Sequence, residues 1–328
     1  MFTSKEWTWI QKAQKIFGPP GPFWQKGIGD DGALWSSTGS KNWVWSQDAL
    51  VEGVHFRLNR PSAFRDAGFK ALTVNLSDLA AMGALPRGAL VALALPPKVE
   101  FAQFKAFCQG LAQASRLYCC PIVGGDLSKS PHSWMASVSI LGEAPWGAIG
   151  RDGARPGDEI WVSGPLGEAA LGLGLLEKPL SKLAGRQTFE KKQSRPKPRV
   201  DLVPLLCPHW KLTSLLDLSD GLWPGLTHLA QASQVGFVVN LAHLKPKKSY
   251  LRLCESLQLD PWQLILAGGE DYELLWTLSP EQGVDFRAWL RKKSLSFKCL
   301  GKITRNQKAQ LWLGDRPYTK KIKGFAHF

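Results

Sequence analysis

The sequence predicts an α/β (α+β) fold in two domains, residues 1–150 and 151–328. Three observations carry that expectation. A chain of 328 residues is long enough for two cores. Strand-like and helix-like apolar patterns alternate along both halves. Between them, residues 151–158 are a run rich in Gly, Pro and Asp, the composition of a boundary. With 44% hydrophobic and 21% charged residues, the chain has an ordinary globular composition rather than a disordered one.

The elements follow in order. Residues 5–17 read as an amphipathic helix, which Gly18-Pro19-Pro20-Gly21-Pro22 cannot continue, and a loop comes next. Residues 42–46 read as a strand delivering Asp48 at its end, and 62–82 as a helix stopped by Gly83 and Pro86. In that helix Asn75 and Asp78 share a face with Ala71 and Met82, a poor place for an unsupported acid. Residues 89–95 are a buried strand, and Phe104, Phe107, Cys108, Leu111, Ser115 and Tyr118 mark the inner face of the next helix. Residues 121–123 form a short strand ending at Asp126. Trp134, Ala136, Val138 and Ile140 alternate with Met135, Ser137, Ser139 and Leu141, the pattern of a half-buried strand. Past the boundary, 159–163 read as strand, 167–177 as helix, and 178–199 as a basic, mobile connection. Helices at 221–233 and 285–293 and strands at 236–241, 273–278 and 297–303 complete the second half.

Charge and cysteine content narrow the class. Lys and Arg number 41 against 27 acids, for a formal charge of +14. Much of the excess sits in runs at 178–199, 245–248, 291–293 and 320–323, which read as solvated surface rather than a nucleic-acid footprint. The six cysteines show no CxxC spacing, so neither zinc nor a disulfide framework is expected and a reducing cytoplasm fits. Charged and amide residues interrupt the first 18 positions, which excludes a signal-peptide core, and no apolar run reaches the ~18 residues of a spanning helix. The expectation is a soluble protein with neither nucleic acid nor membrane as partner.

The acids, though few, are gathered. Gly29-Asp30-Asp31, Ser46-Gln47-Asp48, Asn75-Leu76-Ser77-Asp78, Gly124-Gly125-Asp126, Asp217-Leu218-Ser219-Asp220 and Gly268-Gly269-Glu270-Asp271 each set carboxylates beside small or polar residues at turns and element ends. One such station is usually a cap or turn acid. Six call for a cation, and Mg²⁺ suits them because it takes a few carboxylates and completes its shell with water and phosphate oxygens. Residues 27–32 match GxGxxG formally, but no strand-turn-helix context surrounds them, and no GxxxxGK[ST] occurs. Any nucleoside triphosphate must therefore be held by metals and scattered side chains.

GIGDDGAL at 27–34, SQDALVEGVHF at 46–56, KALTVNLSDLAAMGALP at 70–86, GGD at 124–126, GRDGARPGDEIWVSGPLGEAALGL at 150–173, RPKPRV at 195–200, DLSDGL at 217–222 and GGEDYEL at 268–274 together resemble the thiamine-monophosphate kinase family. That family belongs to the superfamily of aminoimidazole ribonucleotide synthetase and selenophosphate synthetase. The resemblance implies a PurM-like architecture: an N-terminal sheet domain that pairs with a second subunit in a homodimer, and a C-terminal α/β domain. It implies transfer of the ATP γ-phosphoryl group to thiamine monophosphate with several Mg²⁺ ions. Carried over by position, it makes Asp31, Ser46, Gln47, Asp48, Asp78, Asp126, Asp217 and Asp220 metal ligands or their support, and Gly125, Asp126, Arg151 and Ser219 contacts to ATP. His55, Glu270 and Phe325 become contacts to thiamine monophosphate, and Asp48, Asp78, Asp126 and Arg151 the catalytic group. Gln47 stands where the family usually has Thr, so a ligand there must be its backbone carbonyl. Without the motif, His55 between Val54 and Phe56 would read as a structural histidine and Phe325 as a packing aromatic.

Overall fold

A computed structural model describes residues 5–19, 21–36, 41–177 and 183–322. In chain order it holds α1 (Lys5–Phe17), β1 (Trp24–Lys26), β2 (Ala33–Ser36), β3 (Asn42–Val51), α2 (Ala63–Ala81), β4 (Leu85–Leu95), α3 (Phe101–Leu117), β5 (Ile122–Lys129) and β6 (Met135–Glu143). Then come β7 (Glu159–Val162), α4 (Glu168–Glu177), α5 (Arg186–Ser194), α6 (Val203–Leu206), β8 (Ser214–Asp217), α7 (Leu222–Ala232), β9 (Gly236–Asn240), α8 (Lys248–Ser256), α9 (Pro261–Ala267), β10 (Leu274–Leu278), α10 (Pro280–Lys292), β11 (Lys298–Thr304), β12 (Ala309–Leu313) and β13 (Arg316–Pro317). The chain divides into two compact units. The first is Lys12–Ala148 together with Ser194–Val203; the second is built on Ile149–Gln193 and the chain from Pro204 onward.

The first unit is a six-stranded sheet in the order β1-β2-β3-β6-β4-β5, antiparallel except for the β4–β5 pair. Helix α2 lies on one face and is buried nearly all round, with Leu72, Leu76 and Leu79 fully enclosed. Two glycines explain how α3 can cover it so closely. A Cβ at Gly68 would lie 2.0 Å from the Phe107 carbonyl oxygen, and one at Gly110 would lie 1.9 Å from that of Arg65. The helices therefore meet backbone to backbone, which only glycine permits. Residues 194–203 close on the same helices: Arg195 pairs with Asp66 at 3.6 Å and stacks 4.2 Å over the Phe69 ring.

The strands are longer than their sequence patterns. β3 does not end before Asp48 but continues to Val51, because its pairing with β6 runs unbroken from Trp43↔Glu143 to Val51↔Met135. β5 likewise runs through Asp126 to Lys129. Residues 24–26 and 33–36, read as loop, are strands joined by aromatic contacts: Trp24 and Trp35 ring centroids are 5.2 Å apart, and Trp35 stacks on Trp43 at 6.3 Å.

The second unit is a seven-stranded sheet in the order β13-β12-β9-β11-β7-β10-β8, antiparallel except for β9–β12. Ile160, Val162 and Leu275 point into an aliphatic core with α7, α8 and α9. The alternate residues Trp161 and Trp276 point the other way, where they meet Phe286 of α10 with Trp210 and Trp289. Several of the chain's 15 tryptophans thus serve as packing.

Residues 178–199 were expected as a mobile connection, and the described part corrects that. Residues 186–194 form helix α5, pinned by Phe189, which is only 2% exposed. Gly172 of α4 makes the room: a Cβ there would meet the Phe189 carbonyl oxygen at 2.1 Å. The basic residues of the run are also less solvated than expected, since Arg186 bonds Glu190 at 2.6 Å and the Leu175 carbonyl at 3.1 Å. Helices α8 and α9 and strands β8, β12 and β13 lie where the sequence reading placed nothing. No described helix is long and apolar enough to cross a membrane.

Candidate active site

In the first unit one group of predicted residues comes together on the helix-covered face of β3. Ser46 Oγ donates to Asp78 Oδ2 at 2.6 Å. The backbone N–H of Asp48 donates to Asn75 Oδ1 at 2.9 Å, and Asn75, fully buried, donates its own Nδ2 to the Ala71 carbonyl at 2.9 Å. Asn75 and Asp78 stand one turn apart on α2, so their side chains lock the helix to the strand, and Asp48 and Asp78 are both half-buried. Asp31 is half-buried, and the adjacent Gly32 packs on Val44 of β3, where a Cβ would come within 2.8 Å of Cγ1. Its neighbour Asp30 is engaged by Lys26 at 3.2 Å.

Gln47 and Asp126 lie on the other face. Gln47 pairs with Ser139 in the β-ladder and donates Nε2 to Ser137 Oγ at 3.2 Å. Asp126 pairs with the exposed Ala92 and accepts from Ser128 Oγ at 2.8 Å. Side chains alternate across a sheet, so these two are separated by the sheet from Ser46, Asp48 and Asp78. Gly125 is required where it is, since a Cβ would stand 1.9 Å from the Val91 carbonyl oxygen.

His55 has a structural task in the same unit. Its Nδ1 accepts from the Val51 N–H at 3.0 Å, which puts the ring proton on Nε2. Its carbonyl accepts from the buried Lys70 ammonium at 2.9 Å.

In the second unit β8 ends on Asp217, 6% exposed, and the chain turns through Ser219 and Asp220 into α7. That turn is zipped to residues 269–273. The Glu270 N–H donates to the Ser219 carbonyl at 2.5 Å, Tyr272 N–H to that of Leu218 at 3.1 Å, and Leu218 N–H to that of Glu273 at 2.9 Å. Glu270 and Tyr272 adopt φ of 60° and 51°, left-handed conformations that cost a non-glycine residue about 1–2 kcal/mol each. Asp217, Ser219, Asp220 and Glu270 are thus brought together.

Asp271, read as a turn acid, is half-buried as a residue, with its carboxyl group enclosed. It accepts the N–H groups of Gly167 at 2.5 Å and Ala169 at 3.0 Å, at the start of α4. Burial pushes its carboxyl up to about 7, with the two N–H bonds pulling the other way. Glu273, a buried residue, accepts from Ser163 Oγ. Arg151 is 8% exposed and its carbonyl accepts from Ser233 Oγ at 3.0 Å. Burial first, and the Arg151 charge second, hold His228 down to about 4, so this imidazole, which no motif marks, is neutral at pH 7. Phe325 lies outside the described residues.

Among the described residues no three His, Cys, Asp or Glu side chains gather into a metal cage. Asp31, Ser46, Asp48, Asp78, Asp126, Asp217 and Asp220 instead offer scattered oxygen donors. Oxygen donors of this kind, taken within either unit, suit a hard cation that shares its shell with phosphate oxygens and do not suit zinc.

Comparison with known proteins agrees over most of the chain. Residues 29–144 match the AIR synthase related protein, N-terminal domain, and 155–314 the AIR synthase related protein, C-terminal domain. Thiamine-monophosphate kinase of Synechococcus elongatus is 37% identical over 311 residues, covering 92% of this chain and 91% of that protein. The protein of the same description from Bacillus subtilis is 33% identical, with 92% and 93% covered. Among solved structures, "AaThiL complexed with AMPPCP and TMP" superposes with a TM-score of 0.83 at 31% identity, covering 97% of this chain and 98% of that one. The hydrogenase maturation protein HypE of E. coli, at 20% identity and a TM-score of 0.69, shares the fold. The chain belongs to the thiamine-monophosphate kinase family.

Proposed function

We propose that the chain transfers the γ-phosphoryl group of ATP to thiamine monophosphate, giving thiamine diphosphate and ADP with Mg²⁺ as cofactor. One observation carries this reading. An all-oxygen cluster built on β3 and α2, with Ser46 bonded to Asp78 at 2.6 Å, occurs in a chain that resembles over 97% of its length a structure complexed with AMPPCP and TMP.

The nucleophile is a phosphate oxygen of thiamine monophosphate. A monoester's second pKa is about 6, so at pH 7 this oxygen is already largely deprotonated and no side chain need remove a proton. An O–P bond forms to the γ-phosphorus as the bond from that phosphorus to the β–γ bridging oxygen breaks, and ADP leaves. The obstacle is repulsion: two unit charges 4 Å apart repel by about 4 kcal/mol at an effective dielectric of 20, and two phosphate groups bring several such pairs.

When bound, Mg²⁺ neutralises phosphate charge and polarises the phosphoryl group as a Lewis acid. In the first unit Ser46, Asp48, Asp78 and Asp31 would hold an ion on the α2 side, while Asp126 and the Gln47 carbonyl, on strands with β6 and β4 between them, would each serve a separate ion. In the second unit Asp217 and Asp220 are the candidates. Arg151 would neutralise nucleotide charge, Gly125 and Ser219 would present backbone and hydroxyl groups to ATP, and His55 and Glu270 would contact thiamine monophosphate. His55 suits that task through Nε2–H, because Nδ1 serves Val51.

The open face of the first sheet supports a homodimer. Trp45, Leu90 and Met135 stand there at 47%, 46% and 41% exposure, an apolar surface of the kind partners cover. The six cysteines are free, and a cytoplasmic location is proposed on that account. Incubation with ATP, Mg²⁺ and thiamine monophosphate should yield thiamine diphosphate and ADP in equal amounts. No product across a range of metal concentrations overturns the reading. Light scattering should give twice the chain mass, and Trp45→Glu should halve it.

A further inference from the structure

The side chain at the end of α5 reaches the loop that carries Glu270. Gln193 Nε2 donates to Glu270 Oε2 at 2.6 Å, a charge-assisted bond of the stronger class. Gln193 is 6% exposed, so its amide is not a surface group that meets a carboxylate by chance. Its place is fixed from two sides. Phe189, one turn back on α5, is enclosed in the core, and Gly172 of α4 lets the helix approach until a Cβ there would be 3.1 Å from Gln193 Cβ. Next to it Lys192 lies 3.7 Å from the buried Glu168 carboxylate, which Lys247 also pairs at 2.9 Å.

Glu270 needs such support. Its backbone is left-handed and is tied through its N–H to Ser219, which sets the Cα but not by itself the three side-chain torsions. A flexible glutamate loses about 1.5–2 kcal/mol of rotamer freedom on fixing, a loss that falls on substrate binding unless the protein has already met it. We propose that Gln193 is a positioning residue for thiamine monophosphate recognition: by holding Oε2 it fixes the orientation in which the Glu270 carboxylate meets the thiamine moiety. The inference rests on the kinase reading and on Glu270 as a substrate contact. Helix α5 is then a supporting wall of the acceptor site rather than a connection.

Steady-state kinetics of the full chain with each substrate varied in turn test this. Gln193→Leu should raise KM for thiamine monophosphate about tenfold, the usual factor for one charge-assisted hydrogen bond, while KM for ATP and kcat change less than about twofold. Gln193→Glu, which sets a second carboxylate against the first, should raise it further. In a Glu270→Ala background Gln193→Leu should add less than about twofold, since coupled residues are non-additive. If Glu270→Ala raises KM for thiamine monophosphate and Gln193→Leu does not, the positioning role is overturned. If the two effects multiply, Gln193 acts elsewhere and it is overturned as well. If Glu270→Ala itself leaves that KM unchanged, the substrate assignment of Glu270 falls and the inference with it. Should Gln193→Leu fail to fold, Gln193→Met, which keeps the length of the side chain, takes its place in the same cycle with the same expectations.

Discussion

The acid cluster of the first unit and the Glu270 loop of the second solve the same problem by different means. Asp48 and Asp78 sit on a ten-residue strand and a 19-residue helix, with Asn75 engaging the Asp48 backbone and Ser46 the Asp78 carboxylate. Glu270 sits on no regular element. Its position depends on two left-handed residues, a backbone zipper to Ser219, the enclosed carboxyl group of Asp271 beside it and a glutamine from another helix. Regular elements hold a side chain by long-range pairing that single changes barely disturb. The loop holds one by a network in which every member depends on the others. Chemistry should therefore be fragile and stability robust in the first region, and the reverse should hold in the second.

The sharpest break would come from Asp78→Asn. The substitution keeps size and leaves an oxygen to accept from Ser46, so the fold should survive with an unchanged unfolding midpoint. Losing the charge should lower kcat by about 10³-fold or more, the scale at which single groups that stabilise transferring charge act. Asp126→Asn, on the opposite face of the sheet, should do the same. Near-normal turnover in both at limiting Mg²⁺ would remove the metal assignment and with it the first half of the contrast.

In the second region Asp271→Asn should act on stability. Both oxygens of Asp271 accept backbone N–H groups, and an amide can present only one acceptor, so its NH₂ would face a donor. The expected cost is about 1–3 kcal/mol in a urea melt. The pH dependence carries a sign. Burial raises the folded carboxyl to about 7, above its unfolded value, so between the two the folded state holds a proton that the unfolded state has lost. Its contribution is complete below about pH 4 and falls by at most about 1.4 kcal/mol per unit until pH passes 7. The advantage of wild type over Asp271→Asn should therefore shrink as pH rises from 4 to 7. A constant difference would mean that Asp271 is ionised throughout and that the N–H pair outweighs burial.

Gly172→Ala tests the same region more gently. The added methyl would stand 2.1 Å from the Phe189 carbonyl oxygen, so α5 must move and Gln193 with it. Overpacking of this kind costs about 1–3 kcal/mol, and KM for thiamine monophosphate should rise alongside. A melt shifted without any change in that KM would separate the helix from the acceptor site.

The same contrast explains what the sequence made legible. The period of α2, the alternation of β6 and the placing of Asn75 and Asp78 on one helix face are local patterns, and the structure has them. The continuation of β3 past Asp48 and of β5 past Asp126 is decided by partner strands far along the chain, which no window of residues reveals. Helix α5 was obscured by composition: its two lysines and one arginine masked one buried aromatic, Phe189, and a glycine 17 positions earlier that makes its seat. Asp271 was obscured by its neighbours, since an acid after two glycines reads as a turn until the N–H groups that bury it are seen.

The smallest effect should come from Ser46→Ala. Ser46 is 9% exposed and its hydroxyl bonds only one oxygen of Asp78, while α2 fixes the Asp78 backbone through core contacts that the substitution does not touch. Removing the hydroxyl frees an acceptor on the half-buried Asp78, where water can replace it, so the stability change should stay below about 1 kcal/mol. Orientation is another matter. Without Ser46 the carboxylate can rotate about its last torsion, and kcat should fall by about tenfold while KM for thiamine monophosphate holds, the fingerprint of an interaction felt in the transition state rather than in substrate binding. If Ser46→Ala instead costs stability and spares kcat, the hydroxyl is a structural tie, and the first region is held together in the same interdependent way as the second.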